Sequence, residues 1–193
     1  MLLFVACTTT PTDTAPPGCM ERIGEGSDPT SEADVAALLE AVRPLHPELE
    51  DVEVTLHELS SETDFYQAAL DVATMDDPPL ERAYRVLYNP LQFERDIPRD
   101  AVGAILVHEL QHLVDYTEMD GEQLSEFALW YASEDISAYE RRTDEAALWA
   151  GCGEGLIAYR EWLYAQLTPE QIEQKKVTYY TPEEIEAWTA ANE

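Results

Sequence analysis

The apolar residues after residue 30 recur at helical spacing, whereas the chain before them has no such pattern. Residues 8–30 are rich in Thr, Pro, Gly and Asp and contain few large apolar side chains, so they cannot bury enough surface to order themselves. We therefore predict a flexible tether over residues 8–30. An amphipathic helix then begins at Ser31 and ends before Pro44. Its apolar face consists of Val35, Leu38, Leu39 and Val42.

Residues 51–93 carry a shorter period that is typical of β-strands. Apolar residues alternate with polar ones from Val52 to Leu56, and Tyr84–Tyr88 is a further apolar stretch bounded by turn signals. This pattern predicts a small antiparallel sheet of about three strands. Since proline cannot donate to a β-ladder, Pro90 indicates that the strand before it lies at an edge of the sheet.

From Asp100 onward the pattern is helical almost to the end of the chain. Thr168 and Thr181 each precede a proline and have Gln or Glu three residues later, which is typical of a helix N-terminus. The chain has no internal repeat and no apolar run of about 20 residues that could cross a membrane. We predict an α+β fold in which a small antiparallel sheet precedes a mostly helical region, with residues 31–193 forming a single domain.

Composition and charge narrow the class of protein. The chain has 193 residues, of which 45% are hydrophobic and 26% charged, and this mixture is typical of a folded globular domain. Eleven Lys and Arg residues stand against 40 Asp and Glu residues, giving a formal net charge of -29. Nucleic acid is excluded as a partner, because phosphate contacts require clustered basic residues. We interpret the carboxylates as a solvated acidic surface in preference to a dedicated cation-binding surface.

Residues 1–7 resemble the end of a bacterial lipoprotein signal peptide, because they form an apolar run that ends in Ala6 and Cys7. The resemblance implies that Cys7 is lipidated and that the protein faces the periplasm or exterior of a bacterial cell envelope. No Lys or Arg precedes the run, and only six residues precede Cys7, fewer than the usual run of about 7 to 15. A true start upstream of Met1 would explain both departures. The alternative is a cytoplasmic protein with a slightly apolar terminus.

Two further cysteines remain if Cys7 is lipidated. In an oxidising compartment Cys19 and Cys152 could form a disulfide that ties the end of the tether to the domain. The alternative is two unpaired cysteines, one in the tether and one packed beside glycines.

The candidate chemistry lies in the sequence His-Glu-Leu-Gln-His at residues 108–112. Residues four apart share one face of a helix, so His108 and His112 can both reach one metal ion, while Glu109 lies close enough to act on a water at that ion. Two neutral nitrogen ligands and a nearby carboxylate are what zinc-dependent hydrolysis requires. The other two histidines, His46 and His57, stand alone in the sequence and are predicted not to bind the metal.

Catalytic zinc has three protein ligands and an open position, so a third ligand is expected further along the chain. Glu140 and Asp144 lie four residues apart in a predicted helix, so one can bind the metal while the other accepts the free N–H of a ligand imidazole. We assign Glu140 to the metal and Asp144 to the imidazole. Three other carboxylates compete with Glu140 but lack such a partner: Glu134, Asp135 and Glu145.

These two motifs resemble those of the gluzincin group of zinc peptidases, in which H-E-x-x-H is followed by a ligand glutamate and an acidic residue four positions on. The match to the E-x-x-A-D form of the second motif is close, with Thr143 in place of alanine. A metzincin would have a third histidine where this chain has Glu118. The resemblance also implies a zincin-like arrangement, in which an antiparallel edge strand beside the active-site helix holds an extended peptide. Arg85–Tyr88 is the candidate for that strand.

The sequence thus predicts a zinc-dependent metallopeptidase that hydrolyses peptide bonds through a zinc-activated water, with Glu109 as the general base. Tyr88, Tyr179 and Tyr180 are all candidates to stabilise the oxyanion. The expected partners are a peptide or protein substrate and, through a lipid anchor alone, a membrane. Two alternatives remain: an envelope lipoprotein that binds zinc without peptidase activity, and a cytosolic acidic protein with a structural metal.

Overall fold

The computed structural model describes residues 17–192, which form eight α-helices and three β-strands joined by short turns and 3-10 helices. The helices are α1 (Cys19–Ile23), α2 (Glu32–Val42), α3 (Arg99–Thr117), α4 (Gly121–Ser133), α5 (Ser137–Trp149), α6 (Gly153–Tyr164), α7 (Pro169–Thr178) and α8 (Pro182–Asn192). The strands are β1 (Val54–Glu58), β2 (Tyr66–Leu70) and β3 (Tyr84–Tyr88). The α+β class is confirmed. Within residues 17–192, no helix is both long enough and apolar enough to span a bilayer.

The sheet is mixed and has the strand order β1-β3-β2, so the predictions of an antiparallel sheet and of an edge position for β3 were wrong. β3 pairs in parallel with β1, with Tyr84 opposite Val54, and antiparallel with β2, with Tyr88 opposite Tyr66. Pro90 does not interrupt this ladder because it lies beyond the end of β3, in a 3-10 turn. The edge strands are therefore β1 and β2, and β2 lies against α3.

Helix α3 lies at the centre of the fold. Every residue from Ala101 to Leu110 is buried, because α1, α2, α5, α6 and β2 all pack around this helix. Gly155 lets α6 approach closely, since a Cβ at this position would lie only 2.6 Å from the Asp100 carbonyl oxygen. The polar residues of the H-E-x-x-H motif are thus held in a rigid helix within the core.

The N-terminal segment differs from the predicted tether over residues 17–30. Helix α1 packs on α3, where the side chain of Ile23 occupies the space left open by Gly103. Cys19 and Cys152 form a disulfide, which is the first of the two alternatives that the sequence left open. The disulfide and the burial of Ile23 offset the conformational entropy that is lost when this segment becomes ordered. The few large apolar residues of the segment would not offset that loss by themselves. Residues 8–16 of the tether, the segment 1–7 and Cys7 lie outside the described residues.

Several predicted helix starts are confirmed by their caps. The Ser31 hydroxyl accepts a hydrogen bond from the backbone N–H of Asp34 at the start of α2. Thr168 forms a reciprocal capping box with Gln171 at the start of α7, and the Thr181 hydroxyl accepts from the N–H of Glu184 in α8.

Candidate metal centre

Three side chains from two helices meet in a buried triangle. His108 and His112 extend from α3, and Glu140 extends from the first turn of α5. The Nε2 atoms of the two histidines lie 3.2 Å apart, and Oε2 of Glu140 lies 3.2 Å from Nε2 of His108 and 3.4 Å from Nε2 of His112. All three side chains are buried. The structure therefore brings together the three residues that the sequence assigns to the metal.

The dimensions of this triangle fit a metal ion. Zinc bonds of about 2.0–2.1 Å in tetrahedral geometry separate neighbouring ligand atoms by about 3.3 Å. Oε2 of Glu140 is buried and accepts no well-aligned hydrogen bond within residues 17–192, although the Nε2 atoms of both histidines lie within 3.4 Å of it. A buried carboxylate oxygen in this state is costly unless a cation neutralises it. An ion bound to this oxygen and both Nε2 atoms would satisfy it. The donor set suits zinc, although imidazole and carboxylate also bind other transition metals.

Electrostatics at the triangle favour a positive charge. Burial opposes a charge on His108, but contacts with Asp144 and Glu140 outweigh it and raise the pKa of His108 to about 10. Burial also disfavours a charged Glu140, yet the two histidines more than compensate and hold the pKa of this carboxyl well below its usual range. The site thus attracts cations, and a metal ion there would compete with protons for the same nitrogen atoms.

Asp144 lies directly behind His108, at the position predicted from the sequence. Its Oδ1 is 2.9 Å from Nδ1 of His108, so the far side of the imidazole faces a carboxylate. Arg160 of α6 donates to both oxygens of Asp144 at 2.8 and 3.1 Å, and the N–H of Tyr180 donates to Oδ2 at 3.0 Å. This arrangement turns Nε2 of His108 toward the triangle.

Glu109 faces the sheet from α3. The backbone N–H of Ala68 in β2 donates to Oε2 of Glu109 at 2.6 Å, and burial raises the pKa of this carboxyl. Together with β2, α4 and both histidines, Glu109 lines a cavity of about 480 Å³. The candidate base and the candidate metal ligands therefore open onto one cleft.

The structure separates the three tyrosines proposed for the oxyanion. The Tyr88 hydroxyl donates to Glu32 and the Tyr180 hydroxyl to Glu145, and neither residue lines the cleft. Tyr179 lines the cleft, and its ring centre is 6.0 Å from that of His108. Burial raises the pKa of Tyr179, so its hydroxyl keeps the proton that an oxyanion donor requires.

Two tyrosines that sequence reasoning missed contact the triangle. The Tyr131 hydroxyl donates to Oε1 of Glu140 at 2.5 Å, and the Tyr139 hydroxyl lies 2.8 Å from Nδ1 of His112. In a chain with ten tyrosines, the one available signal was that Tyr139 immediately precedes Glu140.

The remaining candidates lie elsewhere. Nε2 of His46 is 3.0 Å from the Val107 carbonyl oxygen, and His57 contacts Thr55 on β1, so both histidines lie outside the triangle. Within residues 17–192, the group of His, Cys, Asp and Glu side chains close enough to hold one ion is the triangle itself. The competing carboxylates do not join it: they are Glu134, Asp135 and Glu145.

Fold and site together define an α+β protein with a buried two-histidine, one-glutamate site that could hold a metal ion. No protein-family model, curated protein or solved structure matches the chain. The resemblance to gluzincins therefore rests on the two sequence motifs, and the side-chain geometry is the independent observation.

Proposed function

We propose that this protein is a zinc-dependent metallopeptidase with His108, His112 and Glu140 as ligands and Glu109 as general base. The observation that carries the proposal is the triangle of ligand atoms with edges of 3.2–3.4 Å, which opens onto the same cleft as Glu109. Zinc held by these three residues would act as a Lewis acid, polarising a carbonyl and lowering the pKa of water toward neutrality.

The chain's own residues supply the proton transfer. Glu109 accepts the proton as water attacks the peptide carbonyl and then delivers it to the leaving amine. The hydrogen bond from Ala68 holds one oxygen of Glu109 and leaves the carboxylate fixed relative to β2. We propose Tyr179 as the oxyanion donor, because it is the one of the three candidate tyrosines that lines the cleft.

We assign the peptide-binding edge to β2 in place of Arg85–Tyr88. The backbone N–H and C=O groups of Gln67 and Ala69 point toward β3 in the antiparallel ladder. This follows because the Phe65 carbonyl and the Asp71 N–H, on either side of them, form hydrogen bonds with the residues that flank β3. Alternate residues of a strand direct their backbone groups to opposite sides, so Ala68 and Leu70 face outward over the cleft. Glu109 already accepts the Ala68 N–H, so an extended peptide would add to this edge through the Ala68 carbonyl and the Leu70 N–H, beside the triangle of ligand atoms.

The alternative is a zinc-binding module without peptidase activity. The observation that favours this alternative is the 2.6 Å hydrogen bond from the Ala68 N–H, because it already occupies one oxygen of Glu109, the candidate base. A base with one free oxygen can still accept a proton, so this bond does not decide between the two functions.

Zinc content tests the metal site. Purified wild-type protein should contain about one zinc per chain by elemental analysis, and His112→Ala and Glu140→Ala should lose it. Glu134→Ala is the matched control, since it removes an exposed carboxylate outside the triangle and should keep the zinc. A wild type without zinc, even after refolding with zinc, would rule out the metallopeptidase.

Glu109→Gln then separates the two functions. This variant should keep its zinc but lose hydrolysis of a peptide library, because glutamine cannot accept the proton. Cleavage sites would be read by mass spectrometry. If zinc-loaded wild type cleaves nothing in the library and behaves like Glu109→Gln, the binding module is the better description.

We also propose that the domain works outside the reducing cytosol, in a bacterial cell envelope. The disulfide between Cys19 and Cys152 supports this, because such bonds persist in oxidising compartments. The gene should be expressed together with its upstream region. Labelled palmitate incorporated by the wild type and not by Cys7→Ser would then establish the lipid anchor, and its absence from both would remove it.

A further inference from the structure

The imidazole of His112 is backed by a tyrosine. Nδ1 of His112 lies 2.8 Å from the Tyr139 hydroxyl, and both side chains are buried. The two rings lie 5.2 Å apart between centres. Whichever residue holds Nδ1 also determines where Nε2 points, so this contact bears directly on the metal ligand.

A carboxylate lies beside the tyrosine. Asp115 lies three residues after His112 on α3 and pairs with Arg142, whose guanidinium lies 5.2 Å from the centre of the Tyr139 ring. A phenol can accept one hydrogen bond while it donates another, so Tyr139 can accept from an imidazole and donate to a neighbouring carboxylate.

Two further groups hold the Asp115 carboxylate in place. Nε2 of Gln111 donates to Oδ1 at 3.1 Å, and Arg142 donates to Oδ2 at 2.7 Å. In a chain that runs in one direction, Nδ1–H of His112 would donate to the tyrosine and the tyrosine would donate to Asp115. This direction leaves the lone pair of Nε2 free for a metal ion.

Aromatic packing fixes the tyrosine ring itself. Phe127, Trp130 and Tyr131 of α4 place their ring centres 5.1–6.1 Å from that of Tyr139. The Arg142 guanidinium lies over the same ring at 5.2 Å. These contacts join α4 to the site and leave the ring little freedom to turn away from His112.

We propose that Tyr139 is a positioning residue, which transmits the charge of Asp115 to His112 and thereby sets the tautomer and direction of this imidazole. The inference rests on the proposed metal site but not on peptidase activity. The role of Tyr139 is measured by metal affinity, so this role can be disproved while the metal site itself is confirmed.

The test compares zinc affinity in Tyr139→Phe and wild type, measured by competition with a chromophoric chelator. Removing an outer partner of a ligand histidine should weaken zinc binding by about 10- to 100-fold. Asp115→Asn should weaken it in the same direction but less, since the phenol remains. Tyr84→Phe is the matched control, because it removes a buried tyrosine hydroxyl that has no partner within residues 17–192, and it should leave the affinity unchanged.

Cobalt spectra give a second readout that a general loss of stability would not move. The visible absorption of the cobalt-loaded protein should change in Tyr139→Phe and stay unchanged in Tyr84→Phe. Equal zinc affinity and equal cobalt spectra in Tyr139→Phe and wild type would overturn the positioning role alone. A wild type that binds neither metal would overturn both this role and the proposed function. If Tyr139→Phe fails to fold, Asp115→Asn decides: unchanged affinity overturns the proposal.

Discussion

The two histidines lie one turn apart on α3, but the groups behind their rings differ. Behind His108, the ion pair of Asp144 and Arg160 has side-chain exposures of 0% and 2%. Behind Tyr139, the ion pair of Asp115 and Arg142 has exposures of 11% and 63%. The support of His108 thus lies within the core, whereas the support of His112 ends in an exposed arginine.

Because of this difference, we expect the two ion pairs to contribute differently to the free energy of unfolding, even if both orient an imidazole. A buried ion pair is costly to break, because removal of one partner leaves an uncompensated charge in the core. The pair of Asp115 and Arg142 contributes less, because its arginine is exposed and water and salt screen that charge. Both supports can orient an imidazole, but we expect only the support of His108 to be required for folding.

Arg160→Met should have the largest effect. It removes the guanidinium that donates to both oxygens of the buried Asp144 carboxylate and leaves His108 as the remaining cationic partner. Breaking a buried pair in this way typically lowers the free energy of unfolding by about 3–5 kcal/mol. Urea denaturation of the metal-free protein would measure the loss.

The double variant Asp144→Leu with Arg160→Met is the control for this loss. It removes both charges and should recover part of the stability, because an apolar replacement of a buried pair is often neutral. If Arg160→Met lowers the free energy of unfolding by less than about 1 kcal/mol, the buried pair is worth no more than an exposed one, and the contrast between the two ion pairs is wrong.

Removing the disulfide should have the next largest effect. Cys152 caps α6, the helix that carries Arg160, so the bond to Cys19 supports the buried side of the site. Its loss should lower the free energy of unfolding by about 2–4 kcal/mol. Urea curves with and without dithiothreitol would measure it. The Cys19→Ala, Cys152→Ala variant is the control, and dithiothreitol should not shift its urea curve. A shift in this variant would show that dithiothreitol lowers stability by a route other than reducing the disulfide.

Local patterns explain what could be predicted. The i, i+4 spacing of His108 and His112 specifies their shared face without reference to any other part of the chain. The same holds for the pairing of Glu140 with Asp144, which lie on one helix. The apolar face of α2 and the caps of α7 and α8 are equally local and were also predicted.

Long-range contacts explain what could not be predicted. β2 has the sequence Tyr-Gln-Ala-Ala-Leu, with no β-branched residue, so its pairing with β3 depends on the tertiary environment. The order of residues 17–30 depends on a disulfide to a residue 133 positions away. The contact of Tyr139 with His112 requires the crossing of α5 and α3, which no spacing in the sequence specifies.

His46, which lies outside the site, predicts how stability depends on pH. His46 is buried against the Val107 carbonyl, and burial lowers its pKa from the ordinary 6.5. The unfolded chain then binds this proton more readily, so His46 lowers stability as the pH falls below 6.5 and has no such effect above it.

His46→Gln keeps a donor for the carbonyl but cannot titrate. The difference in unfolding free energy between variant and wild type should therefore move in the variant's favour as the pH falls from neutrality to about two units lower. Urea curves at a series of pH values would measure it. A difference that does not vary with pH would show that His46 plays no part in the acid response.

Arg142→Met should have the smallest effect on stability. Its guanidinium is 63% exposed, and Asp115 keeps its bond from Gln111 when the arginine is removed. We expect a loss of less than about 1 kcal/mol in urea, which shrinks further in about 1 M salt because mobile ions screen the pair. Arg141→Met is the matched control, as it removes a neighbouring arginine that pairs with Glu184 and lies away from His112. A loss as large as that of Arg160→Met would mean that the surface support is required for folding after all, and the contrast between the two histidines would fail.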